Sequence, residues 1–180
     1  MRDLEAGDGV MNDLRNNIIE MIGIQSNDIL NKVDYKVIKT TNEDGYNRNL
    51  IEFDSCNDKV TAYLLIPKVV GNNPAILINH QHNGERHLRK SEVCGLAGNP
   101  LQAFGPVLAK KGFVVLAPDS ICFEERRKGG EGINPLPGDN DFLQHYNEKS
   151  YRIMKGENLA KKVLTDAING VTLFIRTAVC

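Results

Sequence analysis

Histidine, aspartate and serine gather at the ends of two short apolar runs. Ala75-Ile76-Leu77-Ile78-Asn79 leads into His80-Gln81-His82-Asn83-Gly84, and Phe113-Val114-Val115-Leu116-Ala117 leads into Pro118-Asp119-Ser120. Alternate residues of a strand share a face, so His80 and His82 could chelate zinc or iron, with His87, Asp119 or His145 as further ligands. The motif lacks a following Asp-His pair, and Asn83-Gly84 favours a turn, so a second reading has the histidines only hydrogen-bonding a loop. Ser120 is a candidate nucleophile by position, but no flanking glycine permits a strained elbow there. The run Glu124-Glu125-Arg126-Arg127-Lys128 fits a solvated surface better than a binding patch. Cys56, Cys94, Cys122 and Cys180 form no CxxC pair and read as separate thiols, not a disulfide framework or zinc site.

The elements that would position these groups follow from periodicity. Leu14, Ile18, Ile19, Met21 and Ile22 lie at helical spacing, which predicts an amphipathic packing helix over 11–24. Strand character follows over 35–40, 49–53 and 60–67, with turns at Asn42-Glu43-Asp44-Gly45 and Ser55-Cys56-Asn57-Asp58. This is an antiparallel start to a sheet. The runs at 75–79 and 113–117 then read as parallel strands of a βαβ unit whose polar ends share an edge, where open α/β sheets build their sites. The connecting helix has Asn99 as N-cap, Pro100 in its first turn and Gly112 as its stop. Pro106 predicts a kink, or a helix that begins near it. Residues 120–140 read as a long excursion above the sheet, and 141–154 as a helix. Over 159–178, Ala160, Val163, Leu164, Ala167, Val171, Phe174 and Ala178 form one stripe, enough for about 30 Å of helix. Phe104, Phe113 and Phe174 are expected in the core.

The stretch His80 to Gly84 resembles the oxyanion loop of the α/β-hydrolase superfamily, and within it the dienelactone hydrolase and acetyl-esterase-like groups. Gln81 stands where that pattern has a small residue. Lys90-Ser91-Glu92, the stretch 101–119, Gln144-His145-Tyr146-Asn147 and the helix from Leu159 resemble the same relatives, so the likeness covers roughly 60–175. The resemblance implies a partial α/β-hydrolase fold, with a mixed sheet of antiparallel start and parallel continuation and helices on both faces. It implies that His82 offers its backbone amide to an oxyanion while His80, Gln81 and Asn83 form the loop, since fixed amides stabilise developing charge without reorganising. The implied reaction is serine-dependent hydrolysis of a small carboxylic ester or lactone, with no cofactor and no metal.

A nucleophile elbow needs GxSxG at a strand-to-helix turn, and none of Ser26, Ser55, Ser91, Ser120 and Ser150 has it. The expectation is therefore a single domain, 1–180, forming the N-terminal half of such a fold, with early elements in 1–59 and the sheet core in 60–180. Nucleophile and triad would lie outside it, and the chain alone would be inactive. A non-catalytic remnant or interaction module is the alternative. In the family's strand order the strand at 75–79 would then be an open edge, so the isolated chain is expected to be marginally stable and to form homodimers through that edge or aggregate.

Composition restricts partners. At 180 residues, 41% hydrophobic and 25% charged, with 22 basic against 23 acidic side chains and a net charge of −1, the chain has no excess charge to attract nucleic acid or an anionic membrane. No apolar run reaches the roughly 20 residues of a membrane span and no signal peptide is recognisable, so a cytoplasmic location is expected.

Overall fold

A computed structural model describes residues 2–56, 58–80, 85–129, 132–133 and 139–176. A five-stranded sheet forms its centre, in the order β1-β2-β3-β5-β4. The strands are β1 (Tyr35–Asn42), β2 (Tyr46–Ser55), β3 (Asp58–Pro67), β4 (Ala75–Leu77) and β5 (Val114–Pro118), and the helices are α1 (Arg2–Ile22), α2 (Lys90–Val93), α3 (Phe104–Lys110), α4 (Asp139–Met154) and α5 (Leu159–Arg176).

The first three strands and β5 are antiparallel neighbours, and β4 pairs with β5 in parallel. This is the expected mixed sheet. Strand β2 buries Asn49, Ile51, Phe53 and Ser55, at the alternate spacing of a strand with one face in a core. Strand β5 is buried at every position, as a central strand covered on both faces must be.

Helices cover both faces. On one, Leu173 of α5 packs with Ile51, Phe53, Val60, Leu64 and Leu116, and Leu77 lies beside them. On the other, Val93, Cys94 and Ala109 from the α2 and α3 region pack on Tyr46, Leu65, Val115 and Ala117. Gly170 lets α5 approach closely: a Cβ there would meet Leu116 Cδ2 and Leu77 Cδ1 at 3.1 Å each.

The segment from Asn99 is divided. Asn99 accepts from the Leu101 backbone N–H and caps a 3-10 turn over Pro100–Gln102, and α3 starts afresh at Phe104 with Pro106 in its first turn, where no intrahelical donor is lost. Gly112 ends the segment at φ +91°.

Two sequence expectations fail here. Phe104 is 49% exposed, because α3 turns Gly105 and Ala109 to the sheet instead. The charge run at 124–128 is mostly drawn inward: Glu124 is 0% and Arg127 4% exposed, and Lys128 alone is on the surface. The stripe of the first helix is also poorly covered, with Met11, Leu14, Ile18 and Met21 exposed. It borders an apolar groove of about 480 Å3 against Ile29, Leu164 and Ile168. The described cysteines, Cys56, Cys94 and Cys122, are free thiols. No described helix is long and apolar enough to cross a membrane.

Candidate functional site

The carboxyl ends of β4 and β5 lie side by side, because Leu77 pairs with Leu116 and the Ile78 N–H donates to Leu116 O at 2.8 Å. Beyond them the chain carries His80 and Asp119-Ser120 to one edge, as the βαβ reading predicts. His80 is buried, and its Nε2 accepts the backbone N–H of Ser120 at 3.0 Å. This bond leaves Nδ1 as the protonated ring nitrogen of the neutral imidazole. The ring stands edge-on to Phe123, centroids 5.3 Å apart, and His145 meets the same phenyl ring at 5.4 Å. Gln81, His82 and Asn83, the other oxyanion-loop candidates, lie outside the described residues.

Below this edge is a buried ionic cluster centred on Lys90. Its ammonium lies 2.8 Å from Asp119 Oδ2 and 2.6 Å from Glu124 Oε1, and it also contacts the Glu125 carboxylate. The Lys90 backbone N–H donates to Asp119 Oδ1 at 3.2 Å. Glu124 accepts the backbone N–H groups of Arg89 and Ser91 at 2.9 and 3.0 Å, and the Ser91 hydroxyl as well. One carboxylate from a distant segment therefore satisfies the donors at the start of α2. Asp119, Glu124 and Glu125 are close enough to share a cation, and Lys90 supplies it.

The electrostatics follow from one ammonium among three acids. Burial opposes the Lys90 charge, but Asp119 and Glu124 outweigh it and its pKa stays above the ordinary lysine value. Burial raises Asp119 to about 7 against the pull of Lys90, with Glu124 pushing the same way as burial. Burial lowers Arg89 to about 10, where its Cζ sits 4.3 Å from the Phe123 ring centroid. The stretch Ser120–Arg127 is held in place at a backbone cost, with φ +68° at Cys122 and +44° at Glu124, non-glycine values that store strain.

A second network ties this stretch to α5. Arg126 donates to Asp119 O at 2.8 Å and pairs with Asp166 at 2.9 Å and Asp58 at 2.6 Å. Asp166 also accepts from Ser55 Oγ at 2.7 Å and pairs with Lys162 at 2.8 Å.

No family model matches the sequence, and no curated protein is detectably similar to it. Among solved structures, a candidate acetyl xylan esterase from Bacteroides fragilis superposes with a TM-score of 0.67 at 19% identity, over 93% of this chain. The chain shares the mixed α/β fold of that neighbour. It spans 43% of that neighbour's length.

The structure brings His80, Asp119, Ser120 and His145 into one neighbourhood. Sequence reasoning missed the buried ionic centre of Lys90 and Glu124 and the separate network of Arg126. The only signal was indirect: Lys90 and Glu92 flank a serine between apolar residues Leu88 and Val93, and hydropathy assigns such polar residues to solvent. The metal reading of the histidine pair meets a geometric obstacle, since the Nε2 lone pair of His80 is already engaged by Ser120.

Proposed function

We propose that this chain is a hydrolase-like unit that carries the oxyanion loop for serine-dependent cleavage of a small carboxylic ester or lactone. The observation that carries the reading is the His80–Ser120 bond. It clamps the end of β4 to the end of β5, at the edge where open α/β sheets place their sites. In this reading His82 gives its backbone N–H to the developing oxyanion, Gln81 and Asn83 shape the loop, and no cofactor or metal takes part. The structural neighbour's name points to acetyl xylan, whose acetyl groups are carboxylic esters. The setting would be cytoplasmic.

The test uses a polypeptide that contains both this segment and a GxSxG elbow, followed on p-nitrophenyl acetate. His82→Ala keeps the backbone donor and should keep the rate. His82→Pro removes it and should lower kcat by about a hundredfold or more. Equal rates for the two would remove the oxyanion role.

A second reading, as a non-catalytic interaction module, is favoured by the absence of GxSxG from the sequence together with the edge position of β4. Reading the coding sequence beyond Cys180 separates the two. A downstream GxSxG with a later Asp and His supports the enzyme, and their absence supports the module.

A further inference from the structure

Arg86 differs from the other arginines whose side chains are described. Arg48 pairs with Glu43, Arg126 with Asp58 and Asp166, and Arg152 with Glu148 and Glu157. Arg127 donates to the carbonyls of Glu124 and Gly132, Arg89 donates to that of Leu88, and Arg15 is exposed on α1. Arg86 is half-buried, and among the described residues its side chain has no hydrogen bond or ion pair; its Nε is buried without an acceptor.

What holds the guanidinium is aromatic. Its Cζ lies 4.7 Å from the Phe123 centroid and 5.6 Å from that of Phe142, an arrangement that orients a planar cation without neutralising it. Its neighbours on Phe123 are Arg89, His80 and His145. Glu85, the adjacent acid in sequence, is exposed, and the Glu124 backbone N–H donates to Arg86 O. Desolvation lowers the Arg86 pKa and no carboxylate acts to restore it. A cation that is partly shielded from water and left without an anion carries a cost. That cost is recovered when a ligand supplies the anion, and the guanidinium fork matches the two oxygens of a carboxylate.

We propose that Arg86 is the recognition point for a small molecule bearing a carboxylate, bound at the strand-end edge beside His80. The identity of that molecule rests on the hydrolase reading: it is an ester that carries a carboxylate elsewhere, or the acid that hydrolysis releases. Binding itself needs no turnover, so the two readings fail separately.

The test is a titration of the full 15N-labelled chain, following the arginine Nε–H resonances. Monomethyl succinate stands for the charged ester, acetate for the released acid, and inorganic phosphate and dimethyl succinate serve as controls. The expected result is a saturable shift of one Nε–H resonance, absent in Arg86→Gln, with a Kd on the order of 1 mM. Arg86→Lys, which keeps the charge and loses the fork, should bind at least about fivefold more weakly, and it replaces the glutamine variant if that one does not fold. Tighter binding of monomethyl succinate identifies the substrate's own carboxylate, and tighter binding of acetate identifies the product. A wild-type chain with no saturable shift overturns the inference. So does an equal shift with phosphate or dimethyl succinate, or one that survives in a folded Arg86→Gln chain.

Discussion

Glu124 and Ser91 are 33 positions apart in sequence, yet the Glu124 carboxylate accepts the Ser91 backbone N–H at 3.0 Å. The same carboxylate holds the Arg89 backbone N–H and the Lys90 ammonium. This one side chain fastens the stretch after β5 to the start of α2, and it does so in spite of a strained φ at its own position.

Glu124→Ala should therefore cost more than a surface substitution. It strands the Lys90 charge with fewer partners and leaves two buried backbone donors without an acceptor, a loss of about 3–5 kcal/mol for a broken buried pair. Urea unfolding measures it. A change below about 1 kcal/mol, the range of an exposed pair, would mean that the cluster contributes no more than a surface ion pair.

Asp119 predicts a pH dependence whose sign can be worked out. Its carboxyl releases its proton near pH 7 in the folded chain and at its ordinary 3.8 when unfolded. Between those values the folded state binds more protons, so stability falls as pH rises, by up to about 1.4 kcal/mol per pH unit. Above pH 7 that loss is complete. Asp58 acts in the opposite sense at acid pH, because Arg126 and Lys162 hold it low against burial, and its contribution disappears as pH falls through its lowered pKa. His87, whose pKa burial lowers, adds stability as pH rises toward the ordinary histidine value and so opposes Asp119 in part of this window. Melting temperature recorded from about pH 5 to about pH 8 should therefore fall more, or rise less, in the wild type than in Asp119→Asn. Parallel curves for the two would contradict the assignment.

Chelators should leave the melting temperature unchanged. Bound metal would stabilise the native state by linkage, but Lys90 already fills the carboxylate cluster and His80 Nε2 is committed to Ser120. About one equivalent of zinc in the purified chain, lost in His82→Ala, would restore the metal reading.

The chain by itself should show no serine-esterase turnover, since no serine has the GxSxG context and the residual rate without a nucleophile is small. Stoichiometric fluorophosphonate labelling at Ser120, with p-nitrophenyl acetate turnover abolished in Ser120→Ala, would overturn this.

Self-association through β4 is the last expectation. The bonds from Val114 N–H to Pro74 O and from Ile78 N–H to Leu116 O turn Pro74, Ile76 and Ile78 toward β5, so the backbone groups of Ala75 and Leu77 face outward. No charged side chain guards residues 75–79, and such an edge readily pairs with another chain. Sedimentation should reveal concentration-dependent dimers, and Ala75→Pro, which removes an outward donor and spares the β5 ladder, should weaken them. A single monomer species at tens of micromolar for the wild type would refute the pairing.

The sequence by itself determined the antiparallel start of the sheet, the βαβ unit and most of the elements. Alternation along β2 and β3, the apolar run of β5 and the stripe of α5 report directly which faces meet a core, because burial of apolar surface is local to each element and periodic in it. The same reasoning misplaced Phe104 and the run from Glu124. A helix of only seven residues, α3, can turn either side inward, and Gly105 and Ala109 allowed closer approach than Phe104 would. Whether Glu124 and Lys90 face water or each other has no local signature: it depends on two segments brought together by the pairing of β4 with β5. Only the tertiary structure decided that, and it decided Asp119 and Arg86 in the same way, since the cost of burying a charge is set by which neighbours arrive to meet it.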